Sequence, residues 1–149
     1  VASSGGHWVQ LLRTSPAFAR HDILWVSTVP GLESQIPAGR FVSVRDANIW
    51  DKPGLVIMAL QLLWHYLRFR PHVVFTTGAA PGFFAVLYGR LFGARTIWLD
   101  SIANAEELSM AGRKAGRFSD HWLTQWPELA REGGPHYLGT ILPESLELA

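Results

Sequence analysis

The sequence predicts an α/β domain, a Rossmann-like doubly wound parallel sheet, and three features of the 149-residue chain carry that expectation. Short, continuous apolar runs rich in β-branched residues alternate with longer stretches of helical character, the order that winds a parallel sheet. The runs lack the apolar–polar alternation of a strand with one wet face, so both faces of the sheet are read as covered. Turns of small residues follow the runs, at the sheet edge where open α/β sheets bind ligands.

Taken in order, Val1 to Ser3 is too short for a buried strand and reads as the end of a first strand that starts upstream. The lack of a leader or anchor before it therefore carries no information. His7 to Arg13 reads as helix, Ile23 to Thr28 (ILWVST) as strand and Phe41 to Val44 as a weaker strand. Gly54 to Phe69 is helical, Val73 to Thr77 (VVFTT) a strand, Gly82 to Phe92 a helix and Arg95 to Leu99 (RTIWL) a strand. His72 and His121 fall at strand starts, where structural roles dominate. With no repeat, low-complexity tract or linker, residues 1–149 are expected to form one domain, the tail from Pro143 opening a connection to a further part.

Composition narrows the chemistry. Hydrophobic residues make up 48% and charged residues 17%, which excludes disorder. A net charge of +1 gives no global field for nucleic acid. The absence of cysteine removes disulfides, thiolate zinc sites and thiol nucleophiles, and is compatible with a reducing compartment. No H-x-x-x-H or H-E-x-x-H pair points to a metal, and no G-x-S-x-G elbow to a hydrolase. Seven tryptophans are many for this length, and Trp favours cores, interfaces and membrane boundaries.

Three loops are candidates for the site. In Ser3-Ser4-Gly5-Gly6-His7, glycines admit a ligand to the backbone and the helix start offers free N–H groups to a phosphate, with His7 as a base; a plain turn with a capping histidine fits as well. The loop is neither a dinucleotide fingerprint nor a P-loop, lacking G-x-G-x-x-G and G-K-[ST]. Thr76-Thr77-Gly78-Ala79-Ala80-Pro81-Gly82 leaves room for a sugar or phosphate, or serves tight strand–helix packing. Asp100 ends a strand before Ser101 and Asn104, with Glu106 and Glu107 beyond; it is a base or hydroxyl ligand, or Asp100 or Ser101 caps a helix whose dipole the glutamates favour.

Two further patterns have double readings. Arg113 and Arg117, one helical turn apart with Lys114 between, bind a phosphate or form a solvated face. The helix from Gly54 to Phe69 is apolar nearly all round, with Gln61, His65 and Arg68 in one narrow stripe. It is buried against the sheet, or it faces a membrane or partner through Trp64, Tyr66, Arg68 and Phe69. It is too short and interrupted to span a bilayer.

Together, SSGGH (Ser3–His7), TTGAAPG (Thr76–Gly82), DSIAN (Asp100–Asn104) and LTQWP (Leu123–Pro127) resemble the bacterial polysaccharide-biosynthesis glycosyltransferase subunits. These are similar to the membrane-anchoring subunit of the eukaryotic UDP-N-acetylglucosamine transferase acting on dolichol-linked GlcNAc. The resemblance covers nearly the whole chain and implies the N-terminal-type, acceptor-side half of a GT-B enzyme. It implies activity only with a partner subunit or domain that binds a UDP-sugar, a polyprenyl-pyrophosphate-linked sugar as acceptor, and no bound metal or cofactor. The expected setting is exopolysaccharide or capsule synthesis, peripheral on the cytoplasmic face of the inner or plasma membrane. By that resemblance Gly5, Gly6 and His7 match the glycine-rich acceptor-side loop, with His7 as the base, and Thr77, Gly78 and Asn104 match segments lining the cleft. Together with the loop readings, this makes His7 and Asp100 the catalytic candidates, and Ser4, Gly5, Gly6, Thr77, Gly78, Ser101, Asn104, Glu107 and Arg113 the acceptor- or phosphate-binding ones. A non-catalytic scaffold that recruits and activates a catalytic partner is the second reading, and an unrelated nucleotide-binding α/β domain the third.

Overall fold

The computed structural model describes residues 1–142; the tail expected from Pro143 lies outside them. The elements run α1 (Gly6–Arg13), β1 (Leu24–Ser27), β2 (Arg40–Ser43), α2 (Lys52–Phe69), β3 (Val73–Thr76), α3 (Ala79–Leu91), β4 (Arg95–Leu99), α4 (Met110–Ala115), β5 (His121–Thr124) and β6 (His136–Tyr137), joined by short 3-10 turns. All pairings are parallel, β1 with β2 and β3-β4-β5-β6 in sequence order. The expected α/β Rossmann-like fold is therefore present. The short α4 begins only at Met110 and is capped by Ser109, so the helix start read at Asp100 or Ser101 is corrected, while β6 is an addition that the sequence pattern does not predict.

The first two residues sit between the two sets of strands. Ala2 N donates to Val26 O of β1 at 3.0 Å, and the Val1 amine donates to Phe75 O of β3 at 2.8 Å. Their backbone thus spans the sheet in the order β2-β1-(Val1, Ala2)-β3-β4-β5-β6. Successive strand residues face opposite sides, which sorts the core into layers. Trp25 and Phe75 pack with Ala2, Trp8 and Leu11 under α1. Val26 joins Met58 and Leu62 of α2 on the other face, and Val74 and Trp98 join Ala85 and Val86 of α3.

The helix α2 shows why its pattern was ambiguous. Asp51 caps it by accepting from Gly54 N at 2.9 Å, and Pro53 stands in its first turn, where its missing N–H is harmless. Only Gly54, Met58 and Leu62 are buried, a thin line against the sheet and α3. Val56, Ile57, Leu60, Trp64 and Leu67 form an exposed apolar stripe on the outer face, with Leu60 and Trp64 about as open as each other at 60% and 59%. Of the expected contact residues, Trp64 and Arg68 lie together here, the guanidinium 5.4 Å from the indole centroid. Tyr66 and Phe69 do not belong to that outward set. Tyr66 packs on Phe92 in a tilted pair with ring centroids 5.4 Å apart, and Phe69 lies under the Arg40 guanidinium.

A cavity of 490 Å³ runs below Val1, walled by Ile23–Val26 on one side, Val73–Phe75 on the other, and α2 behind. His21, Asp22, His65, Arg70 and His72 also line it. His65 on the cavity wall is held below its ordinary value of 6.5, by burial first and by the Arg68 charge second. Between the lowered value and 6.5 the unfolded chain binds a proton that the folded chain does not, so stability rises with pH across that interval. Urea midpoints measured from about pH 5 to about pH 8 read the rise, and His65→Gln should flatten it.

Candidate functional site

The loops that follow Ala2, β3, β4 and β5 gather at one edge of the sheet, the carboxyl ends of its parallel strands. Two helices begin there without a side-chain cap. The helix α1 starts after Gly5, whose φ of 64° places it in the left-handed region, and α3 starts after Gly78, with φ 122°. The helices α2 and α4 are capped instead, by Asp51 and Ser109. The amides that open α1 and α3 have no intrahelical acceptor, and helix dipoles add partial positive charge at the same ends. Such ends bind anions.

A reciprocal pair of bonds draws these two helix starts together. His7 Nδ1 lies 2.7 Å from Thr77 O, and Thr77 Oγ1 donates to His7 O at 2.7 Å. Thr77 is fully buried, while His7 is half-buried and Ser4, Gly5 and Gly6 are exposed. Ala79, the residue after Gly78, also adopts a left-handed φ of 64°, a conformation costing a non-glycine residue about 1–2 kcal/mol. Ser4, Gly5, Gly6 and His7 therefore form one surface, with Thr77 and Gly78 buried beneath it. It presents backbone donors, small side chains and one imidazole to the cleft edge.

The other expected site residues are elsewhere engaged. Asp100 is 1% exposed and its carboxylate accepts from four donors: Trp98 Nε1 (3.1 Å), Asn104 Nδ2 (3.3 Å), Ser109 N (2.9 Å) and Ser109 Oγ (2.6 Å). Its oxygens are saturated, so it fixes the 100–109 loop; the placement as a catalytic base is corrected, because a base needs a free lone pair turned to the substrate. Asn104 is spent on Asp100, and Ser101 is buried, accepting from Gln10 and from Ala103 N. Glu107 pairs with Arg113 at 2.9 Å on an exposed surface, worth little to stability and away from the glycine loops. Arg117 stands in the 3-10 turn after α4, so α4 does not carry it as a continuous helical neighbour of Arg113.

Two residues missing from the sequence expectations hold the site in place. Gln10 Nε2 donates to Ser101 Oγ at 3.0 Å and to Gly6 O at 3.2 Å, while its Oε1 accepts from Ile102 N and from Gln125 Nε2. Gln125 Nε2 also donates to Asp100 O, and its Oε1 accepts from Ile141 N and Thr140 Oγ1. Trp126 Nε1 donates to Ile102 O at 2.8 Å. The LTQWP segment was legible as a motif, but a glutamine's partners are set by the fold. Gln125→Leu should leave several buried polar groups unpaired and cost about 2–3 kcal/mol in urea unfolding. Paired with Gln10→Leu, the two losses should fall short of additive.

The architecture is a parallel-sheet, Rossmann-like α/β fold of the kind found in GT-B-type proteins. MurG of Acinetobacter baumannii is similar in fold, with a TM-score of 0.74 at 13% identity over 96% of this chain and 46% of that one. The UDP-GlcNAc 2-epimerase of Methanocaldococcus jannaschii follows with a TM-score of 0.60 at 10% identity, over 83% of this chain and 37% of that one. In sequence, 67 residues are 33% identical to the UDP-N-acetylglucosamine transferase subunit ALG14 of Eremothecium gossypii, 41% of this chain and 30% of that relative's length. The chain thus spans less than half the length of each of these proteins. No family model matches it.

Proposed function

We propose that this chain is the acceptor-binding, membrane-associated part of a two-part glycosyltransferase. It moves a sugar from a UDP-sugar to a polyprenyl-pyrophosphate-linked acceptor, in exopolysaccharide or capsule synthesis. The observation that carries the reading is the pairing of two uncapped helix starts at His7 and Thr77, which offers a pyrophosphate donors from two helices at once. Similarity to a subunit of a UDP-N-acetylglucosamine transferase supports the reaction class. In this reading the acceptor's pyrophosphate rests on the two helix starts. His7 removes the proton of the attacking hydroxyl, whose oxygen bonds to the anomeric carbon as the bond to UDP breaks. The leaving diphosphate is stabilised by the partner half, and the product is an inverted, β-linked sugar. The chain is the N-terminal-type, acceptor-side half of that pair.

The exposed stripe of α2 is the proposed membrane seat, peripheral and on the cytoplasmic face. No acidic residue interrupts α2, and Lys52, Arg68 and Arg70 stand at its ends, which suits anionic lipid headgroups. Among the described residues no helix is long and apolar enough to cross a membrane. Leu60→Glu with Trp64→Glu, both at exposed positions, should lower co-sedimentation with anionic phospholipid vesicles at least tenfold and leave thermal stability nearly unchanged.

UDP release is the decisive assay, with UDP-N-acetylglucosamine as donor and a membrane lipid extract as acceptor, for this chain, its partner reading frame and the pair. Turnover by the pair alone is expected, with a loss of about 10²–10⁴-fold for His7→Ala, the usual worth of a general base. A second reading, a non-catalytic scaffold, is favoured by the match to a subunit rather than to a complete enzyme. Turnover by the partner alone, merely raised by this chain, would establish it.

A further inference from the structure

We propose that Thr77 and Gly78 are positioning residues that hold the His7 ring in one tautomer, the proton on Nδ1 and the lone pair on Nε2. The inference deepens the proposed role of His7 as base and rests on that reading for its catalytic consequence, though not for its geometry. Its starting point is chemical. The partner of His7 Nδ1 is the Thr77 carbonyl oxygen at 2.7 Å, and a carbonyl oxygen only accepts. Nδ1 must therefore carry hydrogen, and in the neutral ring Nε2 is then the unprotonated nitrogen. The fixing group is an uncharged backbone carbonyl, so the ring is oriented without an acid partner.

The contact is fixed from both sides. Thr77 returns a bond from Oγ1 to His7 O, so the two residues are locked in register although 70 positions separate them in the chain. Gly78 supplies the space. A Cβ built there would lie 2.9 Å from His7 Cε1 and 3.0 Å from Nδ1, closer than carbon atoms pack. Trp98 also bounds that space, 3.7 Å from the same point, and is itself fully buried and held by Asp100. The φ of 122° at Gly78 is a second demand for glycine. Any side chain at 78 thus pushes the imidazole off the Thr77 carbonyl and frees it to exchange tautomers.

Nitrogen-15 NMR of the imidazoles reads this directly on the full chain, with no ligand and no partner. His7→Gln identifies the His7 signals among the six histidines. Above the imidazole titration we expect a protonated Nδ1 and an unprotonated Nε2 at His7. Gly78→Ala should give averaged signals from both tautomers while the backbone amide spectrum stays folded. In the reconstituted pair it should lower kcat at least tenfold with little change in KM for the UDP-sugar. If Gly78→Ala does not fold, Thr77→Val removes the return bond at nearly constant volume and should also mix the tautomers, whereas Thr77→Ser should behave as wild type. A wild-type His7 protonated on Nε2, or evenly mixed, overturns the proposal, as does an unmixed tautomer in Gly78→Ala or, where that variant fails to fold, in Thr77→Val. Full turnover in His7→Ala alongside the expected spectra would instead overturn the base and leave the positioning intact.

Discussion

The buried amide pair Gln10–Gln125 is the constraint on which the site edge depends. These two side chains tie α1 to the loops after β4 and β5 and to residues 140–141, and the bonds of Gln10 to Ser101 and of Gln125 to Gln10 and Asp100 are buried, where water does not replace them. A buried amide has donors and acceptor in fixed directions, so it sets distance and rotation together, which apolar packing alone does not. The rotation of α1 about its own axis follows from Gln10. So does the placement of Gly5, Gly6 and His7 at the cleft edge, one turn earlier on the helix.

That arrangement separates support from chemistry. Asp100 and Ser109 terminate the loop after β4, and Ser109 also caps α4, so the acidic group in the region is consumed in holding backbone. The helix starts at Gly5 and Gly78 are left with unspent donors. A helix with a bound side chain at its start has lower anion affinity than one without, because the cap already occupies the amides. The contrast between capped α2 and α4 and uncapped α1 and α3 is therefore a division of labour written in residue type: Asp and Ser against Gly.

Much of the fold was legible because its signals are local. The strand Arg95–Leu99 was read residue for residue, bounded by Gly93-Ala94 and Asp100, and the ends of the longer helices differ by at most three residues. The early start of α2 was also written, in Asp51 and Pro53, a cap followed by a proline in the first turn. The six-residue α4 was not, being too short to show a period. At the site, the glycine loops and His7 could be picked out since a turn residue declares its geometry. The role of Asp100 could not, because whether a carboxylate is free or saturated depends on Trp98 and Ser109, which only the fold delivers. Gln10 was invisible for the same reason: on a helical wheel it looks like part of a wet face.

The seat of Ala2 has an entropic side. Ala2 is fully buried and its N donates to Val26 O, so the segment that leads into the glycine loop leaves from a fixed point beside β1. A few residues later the same segment enters a helix whose rotation Gln10 sets. A short stretch pinned at both ends has few conformations to lose when a ligand arrives, and that lowers the ordering cost of binding.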